Sequence, residues 1–417
     1  MTPLNAALPI DTTFGNRGYA ESFAAGSQAL NIAGLRPDGK ILLVGQTFVE
    51  GKVSFHLAQL LADGTNDTGF NENGLIVGTF TGSGQASGTG ACLYKDGKAL
   101  LFGYQYDEDQ GTRFALARFF ADGERDRDFG LDGTVYVPFL PKSESQLPKP
   151  EASIKSQSRT RLVLTADEKI LVGQSNRLFR LDQKGDFDTA FNNKGWLDLA
   201  MGIASISVAE DGVITVAGSR AGEGKIVRLN VDGTPHKGFG DDGTGTVYIP
   251  SDYPASVRSL MLRADGSFFV AGQVDTSPDD VWGKGRKAMM AAYNPNGRPN
   301  LAFNQGKPVV TDLGLTDGCT LFDLSGEPED GLVVVGSTGQ ITREQMLACR
   351  YLATGELDTT FGDGKGYVTH SMGPGMQWIS VAVQPDKRIL LSRDSDNVNV
   401  NVNVNVNVGA LVVRYLG

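Results

Sequence analysis

Gly355-Glu-Leu-Asp358-Thr-Thr-Phe361-Gly362 contains an Asp-Thr-Thr-Phe core whose variants recur along the whole chain and decide the fold. The other copies are Asp11-Thr-Thr-Phe14, Asp67-Thr-Gly-Phe70, Asp126-Arg-Asp-Phe129, Asp188-Thr-Ala-Phe191, His236-Lys-Gly-Phe239 and Asn300-Leu-Ala-Phe303. Each Phe follows a small polar or imidazole residue by three positions, and glycine comes soon after. Self-similarity at a long, roughly fixed period is the signature of a repeat architecture.

Two further blocks recur in order between these anchors. About 25 residues after each Phe comes a turn between apolar runs. It reads Pro37-Asp-Gly-Lys40, Lys95-Asp-Gly-Lys98, Asp167-Glu-Lys169, Asp211-Gly212, Asp265-Gly266, Asp330-Gly331 and Pro385-Asp-Lys387. A second turn follows the next apolar run, at Asp63-Gly64, Asp122-Gly123, Lys184-Gly185, Asp232-Gly233, Asn296-Gly297 and Thr354-Gly355. Asp-Gly and Asn-Gly between strand-like segments are hairpin signals. Each unit therefore holds four short strands, called a to d. In the second unit they are expected near Gly90–Tyr94, Ala99–Gly103, Phe114–Phe119 and Thr134–Phe139.

Seven four-stranded units predict an all-β, seven-bladed propeller occupying residues 1–417 as one domain. The blades are expected at 27–80, 87–139, 155–199, 203–249, 255–312, 318–372, and 376–417 together with 1–25. A β-solenoid would need shorter and more regular rungs. Glycine, 54 of 417 residues, is nearly double its usual share, as a turn-rich chain requires. A d-type strand at Gly18–Phe23 has no a, b or c strand before it, and the chain ends on a c-type strand at Ala410–Leu416. The N-terminal strand is expected to complete the last blade, leaving no open sheet edge.

Leu35-Arg-Pro-Asp-Gly-Lys-Ile-Leu-Leu-Val-Gly45 and Gly355–Gly362 resemble the bacterial delta-60 repeat family, whose motif runs approximately LQPDGKILVAG…LARYNPDGSLDTSFG. The resemblance extends from about Pro9 to Gly417. It departs most in the third unit, with Glu168 for the turn glycine, and in the fifth, with Ala292-Tyr293 where Arg-Tyr is expected. It implies a propeller-like fold in bacterial proteins, many of them surface-associated. It implies no single activity, because fold does not fix function.

The seven anchors Phe14, Phe70, Phe129, Phe191, Phe239, Phe303 and Phe361 are expected to pack between blades. The polar residue before each should form a local turn through its side chain. Strand c carries a recurrent arginine at 118, 180, 228, 350 and 414, replaced by Gln59 and Ala292. Its pairing with the Asp before Phe is an expectation that the first unit complicates, since Asp67 stands there without an arginine.

Composition narrows the function. A net charge of −10 without a Lys/Arg cluster disfavours nucleic acid and anionic membranes. No apolar run approaches the roughly 20 residues of a bilayer span. Residues 1–10 lack the basic and apolar regions of a secretory signal, so the expected location is the cytoplasm, or export by another route. Cys92, Cys319 and Cys349 are too scattered for a disulfide framework or metal knuckle. His56 (strand c), His236 (an anchor position) and His370 (end of a strand d) have no partner at zinc-ligand spacing. No nucleophile elbow, Walker loop or dinucleotide fingerprint occurs, and no cofactor is expected.

Binding is the better reading. The a–b and c–d turns are short and alike, while the b–c and d–a loops vary, as in Tyr104–Thr112, Val274–Lys287, Arg393–Gly409 and Leu140–Gln157. Function concentrates on variable loops held by a rigid scaffold. Tyr104, Tyr106, Asp107 and Asp109 form one aromatic-acidic cluster; Asp279, Asp280 and Trp282 form another. Trp378 begins a strand a. Such residues suit a protein hot spot or a stacked sugar, so the partner is a protein or a glycan. A hydrolase or lyase site at the channel mouth is the further alternative. Asp107-Glu-Asp109 and Asp126-Arg-Asp128 offer hard oxygen ligands for calcium, but turn chemistry accounts for them equally. Six Asn-Val pairs at 397–408 form either a tolerated expansion or a strand for self-association.

Overall fold

The first strand, β1 (Tyr19–Ala20), pairs with the last of 28 described strands, so the two chain ends meet in one blade. The computed structural model describes residues 9–20, 27–108, 111–137, 161–279, 284–313, 318–327, 331–339, 345–370, 376–395 and 411–416. The chain forms seven four-stranded antiparallel blades, a seven-bladed β-propeller. It divides into two compact units: Ile10–Arg159 with Gln384–Gly417, and Met1–Pro9 with Thr160–Val383.

In the first unit, blade one is β2 (Ser27–Leu35), β3 (Ile41–Val49), β4 (Lys52–Leu60) and β5 (Leu75–Gly78). Blade two is β6 (Gln85–Leu93), β7 (Ala99–Asp107), β8 (Gly111–Phe119) and β9 (Thr134–Val137). The second unit continues with β10 (Leu162–Leu164), β11 (Ile170–Gln174), β12 (Arg177–Leu181) and β13 (Trp196–Asp198) as blade three. Blade four is β14 (Gly202–Val208), β15 (Ile214–Arg220), β16 (Glu223–Leu229) and β17 (Thr246–Tyr248). Blade five is β18 (Ala255–Leu262), β19 (Phe268–Asp275), β20 (Arg286–Tyr293) and β21 (Val309–Thr311). Blade six is β22 (Cys319–Glu327), β23 (Gly331–Thr338), β24 (Gln345–Tyr351) and β25 (Tyr367–His370), followed by β26 (Met376–Val383). β27 (Ile389–Ser395) and β28 (Leu411–Tyr415) return to the first unit, where β28 pairs with β27 and with β1.

The strands outrun the sequence-based expectation. β6 begins five residues before Gly90, and β7 runs on through Asp107, so Tyr104, Tyr106 and Asp107 lie on a strand rather than in a loop. The reason is pairing: Tyr104 faces Phe114, Tyr106 faces Thr112 and Asp107 faces Gly111, which leaves only 108–110 as the turn. The polar alternation there marks a solvent-facing hairpin end. β-branched and aromatic partners keep it extended.

The recurrent blocks make one device, repeated from blade to blade. The Asp of each anchor accepts a hydrogen bond from the backbone N–H two residues on, as Asp11, Asp67, Asp126, Asp188, Asn300 and Asp358 do at 2.9–3.2 Å. This Asx turn drops the next Phe into the core, where all seven anchors are buried. The residue after Phe is left-handed throughout: Gly15, Asn71, Gly130, Asn192, Gly240, Asn304 and Gly362 all have φ between 44° and 80°. Only glycine, and next asparagine, enters that region at low cost, so Phe is followed by Gly or Asn in every unit. The turned backbone N–H then reaches the c–d turn of the next blade. Gly15 N donates to Asp63 O at 2.6 Å, Asn71 N to Asp122 O at 2.7 Å, Asn192 N to Asp232 O at 2.8 Å and Gly240 N to Asn296 O at 2.9 Å. The Phe ring meanwhile covers the turn glycine: Phe14 over Gly64, Phe191 over Gly233 and Phe239 over Gly297.

The strand-c arginine ties this device to the sheet. Arg118, Arg180, Arg350 and Arg414 pair through Nε with Asp126, Asp188, Asp358 and Asp11 at 2.7–2.8 Å, and each guanidinium lies 4.6–5.0 Å from its anchor Phe ring centroid. Blade one solves its missing arginine differently. Gln59 Nε2 donates to Asp67 at 2.7 Å, Lys40 pairs with Asp67 at 3.0 Å, and Arg36 donates to Gln59 Oε1 at 2.5 Å. In blade four Arg228 lacks a carboxylate because His236 replaces the Asp, and it donates instead to Thr215 Oγ1 and to the carbonyls of Pro295 and Gly266.

Candidate functional site

At one end of each sheet the a–b and c–d connections carry the device just described. At the other end lie the b–c and d–a connections, which share no comparable interaction. Their lengths differ widely: Glu50-Gly51 between β3 and β4, Ala221-Gly222 between β15 and β16, but residues 276–285 between β19 and β20 and 396–410 between β27 and β28.

Blade two gives the most complete view of this end. Gln105, wholly buried on β7, accepts from Phe80 N–H at 2.9 Å and donates to Ser83 O at 2.8 Å and Asp107 Oδ1 at 3.0 Å. It thereby fixes the d–a loop 79–84 against the b–c hairpin. Asp107 completes the link by pairing with Arg113 at 2.5 Å, and the Arg113 guanidinium lies 3.9 Å from the centroid of the Tyr136 ring. Burial pushes the Tyr136 phenol upward; Arg113 pulls it down and Asp107 adds to the rise. Tyr104 packs edge-on against Phe114 at 5.5 Å between centroids, and Tyr106 is half-buried. Asp109 lies outside the described residues. A carboxylate held by two nitrogen donors is a poor general base, and the ensemble is a stiff surface of aromatic edges and satisfied polar groups. It suits recognition rather than proton transfer.

Gln105, Arg113 and Tyr136 complete this cluster but were passed over in the sequence. Cross-strand register was the missing signal, since Gln105 and Arg113 are direct partners on β7 and β8. Trp196 is a further surface aromatic, flanked by Arg177 at 4.2 Å and Lys194 at 3.6 Å from its ring.

The blade five loop is pinned at its base. Thr276 N and Oγ1 both donate to Gly285 O, at 2.8 and 2.9 Å, and Asp275 Oδ1 accepts from Ser277 N–H. Asp279 is exposed in the turn beyond; Asp280 and Trp282 lie outside the described residues. Trp378 is the third residue of β26, and its side chain is outside the described set. The structure thus gathers Tyr104, Tyr106 and Asp107 in blade two and places Asp279 separately in blade five. The Asn-Val stretch 397–408 and the loop 140–157 lie outside the described residues.

The two carboxylate pairs considered for calcium are otherwise engaged where they are described. Asp126 is held by Arg118 and Asp107 by Arg113. Among the described residues, no three or more His, Cys, Asp or Glu side chains stand together as metal ligands.

The family described as a domain of unknown function (DUF5122) beta-propeller matches residues 36–70, 95–129 and 209–239. Each matched segment runs from an a–b turn to the following anchor Phe. No curated protein matches the sequence. Among solved structures, the chain is similar to one in a mitotic checkpoint complex at 9% identity, covering 100% of this chain and 95% of that one, with a TM-score of 0.48. It is similar to Sqt1 from Chaetomium thermophilum bound to the N-terminus of the ribosomal protein L10, at 10% identity, covering 96% and 98%, with a TM-score of 0.46. A protein from Lactobacillus plantarum is similar at 14% identity, covering 84% and 87%, with a TM-score of 0.44. These likenesses are too remote to bear on function.

Proposed function

We propose that this chain is a non-catalytic binding propeller that recognises a protein partner through the b–c and d–a ends of its blades. One observation carries the reading. The a–b and c–d ends are occupied by a repeated inter-blade device, whereas the opposite ends vary in length and side chain from blade to blade. Repetition satisfies the scaffold, and variation at the other end leaves a composite surface free to be selected for one partner. The Tyr106–Asp107–Arg113–Tyr136 cluster supplies the aromatic and arginine chemistry that dominates protein hot spots. We further read the repeats as delta-60-type blades, on the recurrence of the Pro-Asp-Gly-Lys and Asp-Thr-Thr-Phe blocks in order.

The test is a pair of loop variants. One replaces 108–110 and 276–285 with two-residue Asn-Gly turns; the other alters exposed residues of the a–b turns. A partner captured by the intact protein and reconstituted from purified components should be lost with the first variant and retained with the second. Loss with the second alone, or binding in a glycan array with no protein partner, overturns the reading.

A further inference from the structure

Strand a of blades two, four, five and six contains the same β-bulge. Gly103, Gly218, Gly272 and Gly336 on strand b stand opposite its start, and one extra residue intrudes before pairing resumes. These glycines are obligatory for space. A Cβ on Gly272 would lie 2.0 Å from Ser256 O, and one on Gly336 would lie 1.8 Å from Thr320 O. The extra residues are Thr89, Ala204, Arg258 and Phe322. Three are uncharged, so a charge at this position serves no need that the repeat imposes. Bulges re-aim a side chain and are over-represented at functional sites.

Arg258 breaks the pattern. Its neighbours Val257 and Ser259 are buried, but its own side chain is exposed. It forms no hydrogen bond or ion pair with any other residue, and the same is true of Arg286 at the start of β20. The nearby carboxylates are otherwise directed. Asp275, cross-strand from Arg286, accepts from Ser277 N–H at 3.1 Å; Asp323, on the next strand a, accepts from Ser259 Oγ at 3.2 Å and from Val381 N–H at 3.0 Å. Loss of hydration pulls the Arg258 guanidinium below its usual range, and the like charge of Arg286 adds to the effect. A side chain that solvent reaches but that is still partly desolvated sits in a concave place. Two arginines there, without a counter-charge, repel each other until an anion arrives.

We infer that Arg258, supported by Arg286, binds a single dianionic oxyanion group, a phosphate monoester or a sulfate, at the inner strand of blade five. Guanidinium groups match such groups with paired N–H donors, and two cations balance one dianion. The net charge of −10 argues against an extended polyanion, so one group is bound rather than a nucleic-acid backbone. This site stands whether or not the protein-partner reading holds.

Calorimetric titration of the full chain with inorganic phosphate, sulfate, phenyl phosphate and acetate tests it. Saturable binding is expected for the dianions, weakening with salt, with acetate markedly weaker. Arg258→Gln should weaken phosphate binding by about tenfold or more, and Arg258→Lys by less. Because Arg258 has no structural partner, the melting temperature of both variants should match that of the parent. Tighter binding of phenyl phosphate than inorganic phosphate would identify a phosphorylated molecule as the source; equal binding would identify the free ion. Absence of saturable binding for every dianion, or affinity unchanged in Arg258→Gln, overturns the inference.

Discussion

His56 lies on β4 opposite Gly45, wholly buried, and burial alone pulls its pKa from 6.5 down to about 4. The folded chain therefore refuses a proton that the unfolded chain accepts. Stability is fully present above pH 6.5 and is lost as the pH falls from 6.5 towards 4, by up to about 3 kcal/mol. His370 is shifted in the same direction by its own burial. Urea unfolding at pH 7.5 and 4.5 should show this loss, and His56→Gln should flatten the slope; an unchanged slope would remove His56 as its source. Gly272→Ala should cost about 1–3 kcal/mol, because the new methyl meets a backbone carbonyl rather than a yielding side chain. That requirement is invisible in a sequence window, where Gly272 reads simply as the end of an apolar run. The Gly-or-Asn choice after each Phe was fully present in the sequence and needed only the left-handed backbone to explain it.

Among the elements, the arginine–aspartate–phenylalanine unit supports two quantitative expectations. Arg180 is almost wholly buried beside Asp188; burial alone would raise the Asp188 carboxyl, but the Lys169 hydrogen bond and the Arg180 charge hold it below the usual range. Asp188→Ala strands a buried cation and should cost about 3–5 kcal/mol, while Arg180→Met with Asp188→Ala should cost less than the single change. Equal costs in a double-mutant cycle would mean the pair is not coupled. Blade four offers the converse, since Arg228 already waits without a carboxylate. His236→Asp should supply one, together with the Asx turn, and raise stability by about 1 kcal/mol or more. An unchanged or lower unfolding midpoint would show that Thr215 and the two carbonyls satisfy Arg228 fully. Recurrence made the arginine legible in the sequence, and the loss of Asp and Arg together in blade five hinted at the pair. What sequence could not give was Gln59 doing the same work with Lys40 and Arg36, because that substitute is assembled from two strands. Tyr104–Asp107 was misplaced into a loop for a related reason: where a hairpin projects into solvent, polar alternation looks like loop composition unless the partner strand is known.

At the scale of the whole molecule, blade count and closure followed from the order of three short blocks, and the candidate site did not. Arg258 shows why: a charge inside strand a is a signal, but its meaning depends on a bulge and on the carboxylates around it turning elsewhere. Closure itself rests on a few residues at the N-terminus. Asp11 pairs with Arg414 at 2.8 Å and its N–H donates to Arg414 O, Phe14 fills the core beneath Gly64, and Arg414 N–H donates to Gly18 O. Removing residues 1–20 deletes all of these at once and leaves Arg414 a buried cation without its carboxylate. Phe14→Ala alone should cost about 3–5 kcal/mol, so the truncation should cost more and lower the melting temperature sharply. A peptide of residues 9–20 added in trans should recover part of the loss, since β1 and the Asx turn around Asp11 bring their own contacts. Melting that stays as cooperative and as high as in the intact chain would mean the C-terminal strands hold their blade without the N-terminus. Recovery abolished by Asp11→Ala in the peptide would assign the closure to the Asp11–Arg414 pair rather than to the strand alone.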